Sequence, residues 1–366
     1  MTTILPGPHA AQNRNDGFDT ARAALTILVV LYHTSLVFEA DPKWRIAYIY
    51  RNEFYDILAD FLISFIMHGF YILAGYFFAF SYERHGLKKA VGSRLVRLGV
   101  PLIFIGMTLN TLMNEMSERR EYADNFGAYL LHGDWLGHLW FIGNLLAYTA
   151  LSCAFAGPLL KVWLPRCNKY IWAAALFLGT PFLCLCFQFA AKAVPYDKIL
   201  FVSVYNLFLY FAFYLLGIVF YRMRETFHLL LDMRVATALA AAACLISLML
   251  PPLLSGIIYN YMLNLRGLAF ALFLIGACCA LPAHRGFMKD AGAASYSVYL
   301  LHQPLLVIFF PALLFFGLGH WQSFLLLYAF AFGASFLFDR AAIAKSPVLG
   351  FLINGATQDF KKEKPA

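Results

Sequence analysis

Arg22 and His33 stand eleven positions apart in a largely apolar stretch that opens Phe18-Asp19-Thr20-Ala21-Arg22. At about 100° per residue, an α-helix puts both side chains on one face. At a rise of 1.5 Å per residue they lie roughly 16 Å apart along the axis. A guanidinium binds phosphate or carboxylate in a two-pronged fashion, and a neutral imidazole takes up a proton from a reacting hydroxyl. One stripe therefore offers anion capture at one end and proton transfer at the other. Thr26 shares the stripe, and Asp19 stands three residues before Arg22, where it can pair with it. Taken singly, Arg22 also suits a membrane-edge anchor, and His33 a helix-to-helix hydrogen bond.

Further residues have types and positions suited to chemistry. Arg94 and Arg97, in Ser93-Arg94-Leu95-Val96-Arg97, are spaced to converge on one anion, or to meet lipid headgroups. His68 is expected at the depth of His33, where it can orient that imidazole, touch an acceptor or bond a neighbouring helix. His138 and Trp140 fall near the outer surface, where an indole serves as an interfacial anchor or a sugar-stacking ring. Tyr299 and His302 share a broad helix face with Ser295 and suit either a lumen lining or a packing seam. Arg266 lies inside the outer end of a span and is a candidate partner for a buried carboxylate, or else reaches outward to water. Asp60 sits at an outer edge with no assigned role, and outer acidic residues such as Glu39 and Asp134 can accept hydrogen bonds from hydroxyl groups.

The elements that must position these residues follow from composition. Of 366 residues, 61% are hydrophobic and 13% charged. Ten apolar segments are apparent: 20–38, 57–80, 98–113, 139–156, 171–190, 200–220, 235–254, 261–281, 295–316 and 321–338. Of the 48 charged residues only Arg22, Asp60 and Arg266 fall within them. An ionised side chain at a bilayer centre costs roughly 3 kcal/mol on insertion scales, so this segregation is what hydrocarbon imposes. It excludes a disordered chain, a secreted disulfide scaffold and an ordinary soluble enzyme. The seven cysteines follow neither disulfide nor zinc spacing, and no metal is expected. Continuous rather than alternating apolar character excludes a β-barrel.

The expected fold is therefore an all-α polytopic membrane protein of about ten transmembrane helices. With the N-terminus inside, the inner regions hold 20 of the 28 Lys and Arg residues, which predicts N-in and C-in. The net charge of +8 is thus read as membrane orientation in contact with lipid, not as nucleic-acid binding. The expected organisation is a cytoplasmic segment 1–18, a ten-helix membrane domain 19–340 and a basic cytoplasmic tail 341–366 ending in Lys361-Lys362-Glu363-Lys364.

In order and spacing these residues resemble the acyltransferase 3 family of membrane-bound acyltransferases. The resemblance covers most of residues 18–310. It rests on the Arg22–His33 pair in the first span and the Arg94-x-x-Arg97 element after the second. It is extended by Phe70-Tyr71-Ile72-Leu73-Ala74-Gly75-Tyr76-Phe77, by His138-Leu139-Trp140-Phe141, and by the run from Ser295 through Tyr299 and His302 to Pro304. Ala74 stands where the family commonly has Ser, and His68 where Gln or another polar residue is usual.

The resemblance implies acyl-CoA as cosubstrate, with no permanently bound cofactor, and a place in the bacterial inner membrane. The branch it is most similar to implies transfer of a succinyl group to hydroxyls of osmoregulated periplasmic glucans. On that reading Arg22, Arg94 and Arg97 hold the CoA phosphates at the cytoplasmic mouth. The pantetheine arm runs inward, and His33 acts as general base toward a glucan hydroxyl arriving from outside, or takes part in an acyl-enzyme route. Two other readings use the same residues: acetyl transfer to another exported polysaccharide or glycoside, and a glycan or solute transporter. Against a transporter stand the lack of an acidic residue in any span core and of an inverted repeat.

Overall fold

Hydrocarbon offers no partner to backbone N–H and C=O groups, so an apolar chain of this kind satisfies them within helices. The computed structural model describes residues 8–42, 44–117, 125–161, 168–199, 202–249, 256–281 and 286–356. In chain order the helices are α1 (Pro8–Ser35), α2 (Glu53–Ile105), α3 (Thr111–Met116), α4 (Phe126–His132), α5 (Trp140–Lys161), α6 (Lys169–Lys192) and α7 (Val204–Arg222). They continue with α8 (Arg224–Leu231), α9 (Met233–Met249), α10 (Ile257–Ala280), α11 (Phe287–Phe315), α12 (His320–Phe338) and α13 (Pro347–Asn354). A short hairpin, β1 (Lys198–Ile199) with β2 (Val202–Ser203), pairs antiparallel with Lys198 opposite Ser203 and is the only sheet among the described residues.

Seven helical runs are long and apolar enough to cross a bilayer, and α8 with α9, bent by 65°, makes an eighth if counted as one span. α1 is not among the seven. Asp19, Arg22 and His33 dilute its apolar character, yet it packs against α2, α10, α11 and α12. The helix richest in candidate chemistry is thus held inside the bundle by its neighbours.

α2 differs from expectation in an informative way. The predicted span 57–80 lies on its first limb, the predicted span 98–113 begins on its second and runs on through a π-helical turn (Gly106–Asn110) into α3, and the predicted inner loop 81–97 is helical apart from Gly86. Gly86 has φ 78° and ψ 168°, a conformation that costs other residues a steric clash. The chain folds back there: the Arg94 guanidinium donates to the Ala74 carbonyl at 2.9 Å. On a straight helix those residues would be about 30 Å apart. Arg94 and Arg97 consequently ride on a rigid helix instead of a loop. The first limb starts with Asn52, whose side chain accepts from the Phe54 N–H, and with Glu53 and Asp56 in the first turn, where negative charge suits the helix dipole.

Close backbone approach fixes this hairpin against α7. A Cβ on Gly75 would fall 2.0 Å from the Tyr214 carbonyl oxygen, and one on Gly217 would fall 2.0 Å from that of Ile72. Such small-residue contacts are how helices pack where no hydrophobic force distinguishes protein from lipid. Part of the expected basic tail also docks on the bundle. α13 is capped by Ser346, packs on α2, and brings Asn354 to 3.0 Å from the Ser297 hydroxyl of α11. Lys361 to Lys364 lie outside the described residues.

Candidate active site

The arginine end is built by α1, α2 and α11. Arg22 Nη1 donates to Asp19 Oδ1 at 3.1 Å, the expected pair one helical turn apart. Its Nη2 reaches Ser295 Oγ on α11 at 3.4 Å, and the Thr26 hydroxyl donates to the Arg22 carbonyl at 2.9 Å. Arg94 is anchored on the Ala74 carbonyl, with its guanidinium 5.0 Å above the centre of the Phe78 ring. Arg97 keeps its side chain exposed, while its carbonyl accepts from the Tyr296 hydroxyl at 3.0 Å.

These three guanidiniums share one cavity of about 350 Å³. Ser81, Ser93, Ser295 and Tyr296 also line it, and Phe70, Phe77, Phe141, Leu145 and Tyr299 make an apolar, aromatic remainder. A smaller adjoining pocket of about 260 Å³ is lined by Asp19, Arg22, Arg97 and Lys289. Cations around polar hydroxyls at one part and rings at another suit a long ligand with an anionic head and an apolar tail.

Tyr299 connects this cavity to a histidine cluster. Its hydroxyl donates to the His138 carbonyl at 2.7 Å, and its own carbonyl lies 2.7 Å from His302 Nδ1. His302 Nε2 is in turn 3.0 Å from His33 Nδ1, which is also 3.0 Å from the Val29 carbonyl. Carbonyl oxygens only accept, so these distances assign the protons. His302 carries its proton on Nδ1 and offers the Nε2 lone pair. His33 carries its proton on Nδ1, shared between His302 Nε2 and the Val29 carbonyl. The lone pair of His33 is thereby placed on Nε2, which makes no hydrogen bond among the described residues. That is the arrangement of a general base held by a second group in the correct tautomer.

His302 is fully buried, whereas His33 is half-buried with the Trp44 ring 6.2 Å away. His138 completes the cluster: its ring centre is 5.4 Å from that of His302, and its Nε2 donates to the Leu300 carbonyl at 3.1 Å. With those nitrogens committed to carbonyls, the three imidazoles do not form a metal-holding group among the described residues.

Other expected site residues are not brought to His33. His68 lies on the seam of α2, α7 and α10, its ring 4.1 Å from Phe213 and 6.0 Å from Tyr210. Its alternation on α2 turns it away from α1, which Gly69 faces through Leu25. The orienting role expected of His68 is geometrically open to His302 instead. Arg266 Nε is buried without a hydrogen-bond partner. Arg266 precedes Gly267, at which a Cβ would fall 2.8 Å from the His68 ring. Asp60 is exposed on α2. Trp140 faces Tyr210 at 5.9 Å and lines a separate pocket at the far end of α1.

Sequence reasoning missed Trp44 and the His33–His302 contact across 269 positions. Ser295 and His302, seven apart, share one stripe of α11, and that spacing was the available signal. Trp44 lies in a loop and leaves no periodic trace.

A family model described as an acyltransferase domain matches residues 15–340. Glucans biosynthesis protein C of Escherichia coli O81 (strain ED1a) is 23% identical over 363 residues, covering 92% of this chain and 93% of that protein. The protein of the same name from Escherichia coli (strain K12) matches to the same extent, 23% identical over 92% of this chain and 93% of its own. No solved structure matches the chain.

Proposed function

The chain belongs to the acyltransferase 3 family, and on that premise we propose that it is a membrane-embedded O-acyltransferase carrying a succinyl or other acyl group from cytoplasmic acyl-CoA to glucan hydroxyls on the periplasmic side. The observation that carries this reading is the Tyr299–His302–His33 chain, which leaves His33 Nε2 unprotonated and is linked through Tyr299 to an arginine-lined cavity. The glucan acceptor follows from the name of the relatives.

Arg22, Arg94 and Arg97 bind the phosphates of CoA, and the aromatic part of the cavity takes the pantetheine arm. His33 Nε2 removes the proton of a glucan hydroxyl as its oxygen attacks the thioester carbonyl. A carbon–oxygen bond forms and the carbon–sulfur bond breaks. The departing CoA thiolate recovers the proton from the imidazolium, leaving acylated glucan and free CoA. The protein crosses the bacterial inner membrane about ten times with both termini inside, an arrangement supported by the 20 of 28 basic residues on that side.

A succinyl group carries a free carboxylate that must be matched inside the bilayer. The candidate for that match is Arg266, whose buried Nε has no hydrogen-bond partner and which lies beside His68 on the seam of α2 and α10. The test supplies purified full-length protein with labelled succinyl-CoA or acetyl-CoA and neutral glucan, and reads CoA release and product charge. Anionic product with stoichiometric CoA is expected, and Arg266→Gln should lower the succinyl-to-acetyl ratio about tenfold. Absence of CoA release with either donor sinks the transfer reading. An unchanged ratio in Arg266→Gln removes Arg266 from donor choice.

A further inference from the structure

The pocket at the far end of α1 has about 330 Å³ of space, and nothing so far assigns it a ligand. It is lined by Arg45, Asn114, Asp134, Trp140, Lys198 and Asn206. Two segments tie it to the histidine cluster. Trp44 lies beside the His33 ring and the next residue, Arg45, lines the pocket; Gly137 lines the pocket and the next residue is His138 of the cluster. The pocket lining thus adjoins in the chain both Trp44, which faces the His33 ring, and His138 of the cluster.

Each of its cations has a fixed hydrogen-bond acceptor. Arg45 donates to Asn114 Oδ1, and Asn114 Nδ2 donates to the Tyr129 hydroxyl at 3.1 Å and the Asp134 carbonyl at 3.3 Å. Lys198 Nζ donates to the His132 carbonyl at 2.6 Å and lies 3.7 Å from Asp134 Oδ1. What remains free to meet a ligand is uncharged or acceptor-rich. The Asn206 side-chain amide and the Trp140 indole N–H have no hydrogen-bond partner among the described residues, and Asp134 retains a second carboxylate oxygen. An amide offers donor and acceptor side by side, a carboxylate accepts two hydroxyls, and an indole adds a flat apolar face.

We propose that this pocket is a binding site for a neutral polyhydroxylated ligand, a sugar unit of the acceptor chain, held by Asn206, Asp134 and the Trp140 indole. The proposal deepens the acyltransferase reading and rests on it for the identity of the sugar as an acceptor. The binding itself is tested without any donor. Labelled maltohexaose, a neutral gluco-oligosaccharide, is equilibrated with purified full-length protein, and binding is measured across a series of salt concentrations.

Wild type is expected to bind with little salt dependence. The isosteric Asp134→Asn and the conservative Asn206→Ser should each weaken binding about tenfold, the effect of losing one strong hydrogen bond. In the coupled assay the same variants should raise the acceptor KM about tenfold, with the donor KM serving as the control for an intact fold. No binding by wild type, or binding that both variants leave unchanged, overturns the proposal. Stronger, salt-sensitive binding of glucose 6-phosphate overturns its neutral character. Oligosaccharide binding that depends on both residues, with no acyl transfer, sinks the acyltransferase reading and leaves the sugar site standing.

Discussion

The two cavities near the histidine cluster share helix α5 but differ in the groups they leave free for a ligand. The arginine-lined cavity gathers three guanidiniums, with Asp19 the carboxylate beside them, and carries an aromatic remainder. The far pocket pairs each cation with a fixed acceptor and leaves amide, indole and carboxylate groups for hydroxyl ligands. The difference teaches that charge inside a membrane bundle is informative by how it is compensated. Three guanidiniums around the single carboxylate of Asp19 leave net positive charge for an anion, whereas in the far pocket Arg45 and Lys198 stand with Asp134 and leave amide and indole groups free.

The largest expected effect removes the group between the two. His33→Ala should lower transfer about 10²- to 10⁴-fold while the purified protein keeps its elution volume and helical content. Normal turnover in a folded variant would dissolve the division into donor and acceptor sides. Next is His302, a positioning residue. His302→Leu should reduce kcat about ten- to hundredfold with both KM values little changed, because the His33 Nδ1 proton keeps only the Val29 carbonyl as acceptor and the ring loses the contact that fixes its orientation. His302→Gln can still accept that proton through its side-chain oxygen and should recover part of the loss. Equal damage by Leu and Gln would point to packing alone.

A smaller and one-sided effect is expected at Arg97, whose exposed side chain makes it the cleaner probe than Arg94, which also anchors the α2 hairpin. Arg97→Ala should raise the donor KM about tenfold and leave the acceptor KM unchanged. Raising ionic strength should likewise weaken donor binding more than acceptor binding, since screening acts on unpaired surface charge. Equal salt dependence on both sides would erase the contrast.

Several elements were legible before folding. Helical class and most apolar segments follow from the exclusion of charge, and the chain from Phe18 to His33 reads directly as a one-faced stripe. The reversal between the predicted second and third spans was also foreseeable. Its helical form was not, because Leu87 to Arg97 mixes basic and apolar residues that read equally well as loop or helix. The predicted loop 221–234 became α8, bent against α9, for the same reason.

The sequence by itself determined which residues carry charge into the membrane and that Arg22 and His33 share a face, because both follow from local periodicity and the energetics of burial. Tertiary structure alone decided what those residues meet. His302 rather than His68 faces His33, because α11 packs beside α1 while His68 turns toward α7 and α10. The protonation of His33 likewise depends on carbonyls and rings supplied by separate helices. No one-dimensional spacing encodes such contacts, since helix packing sets them through the crossing of faces distant in the chain.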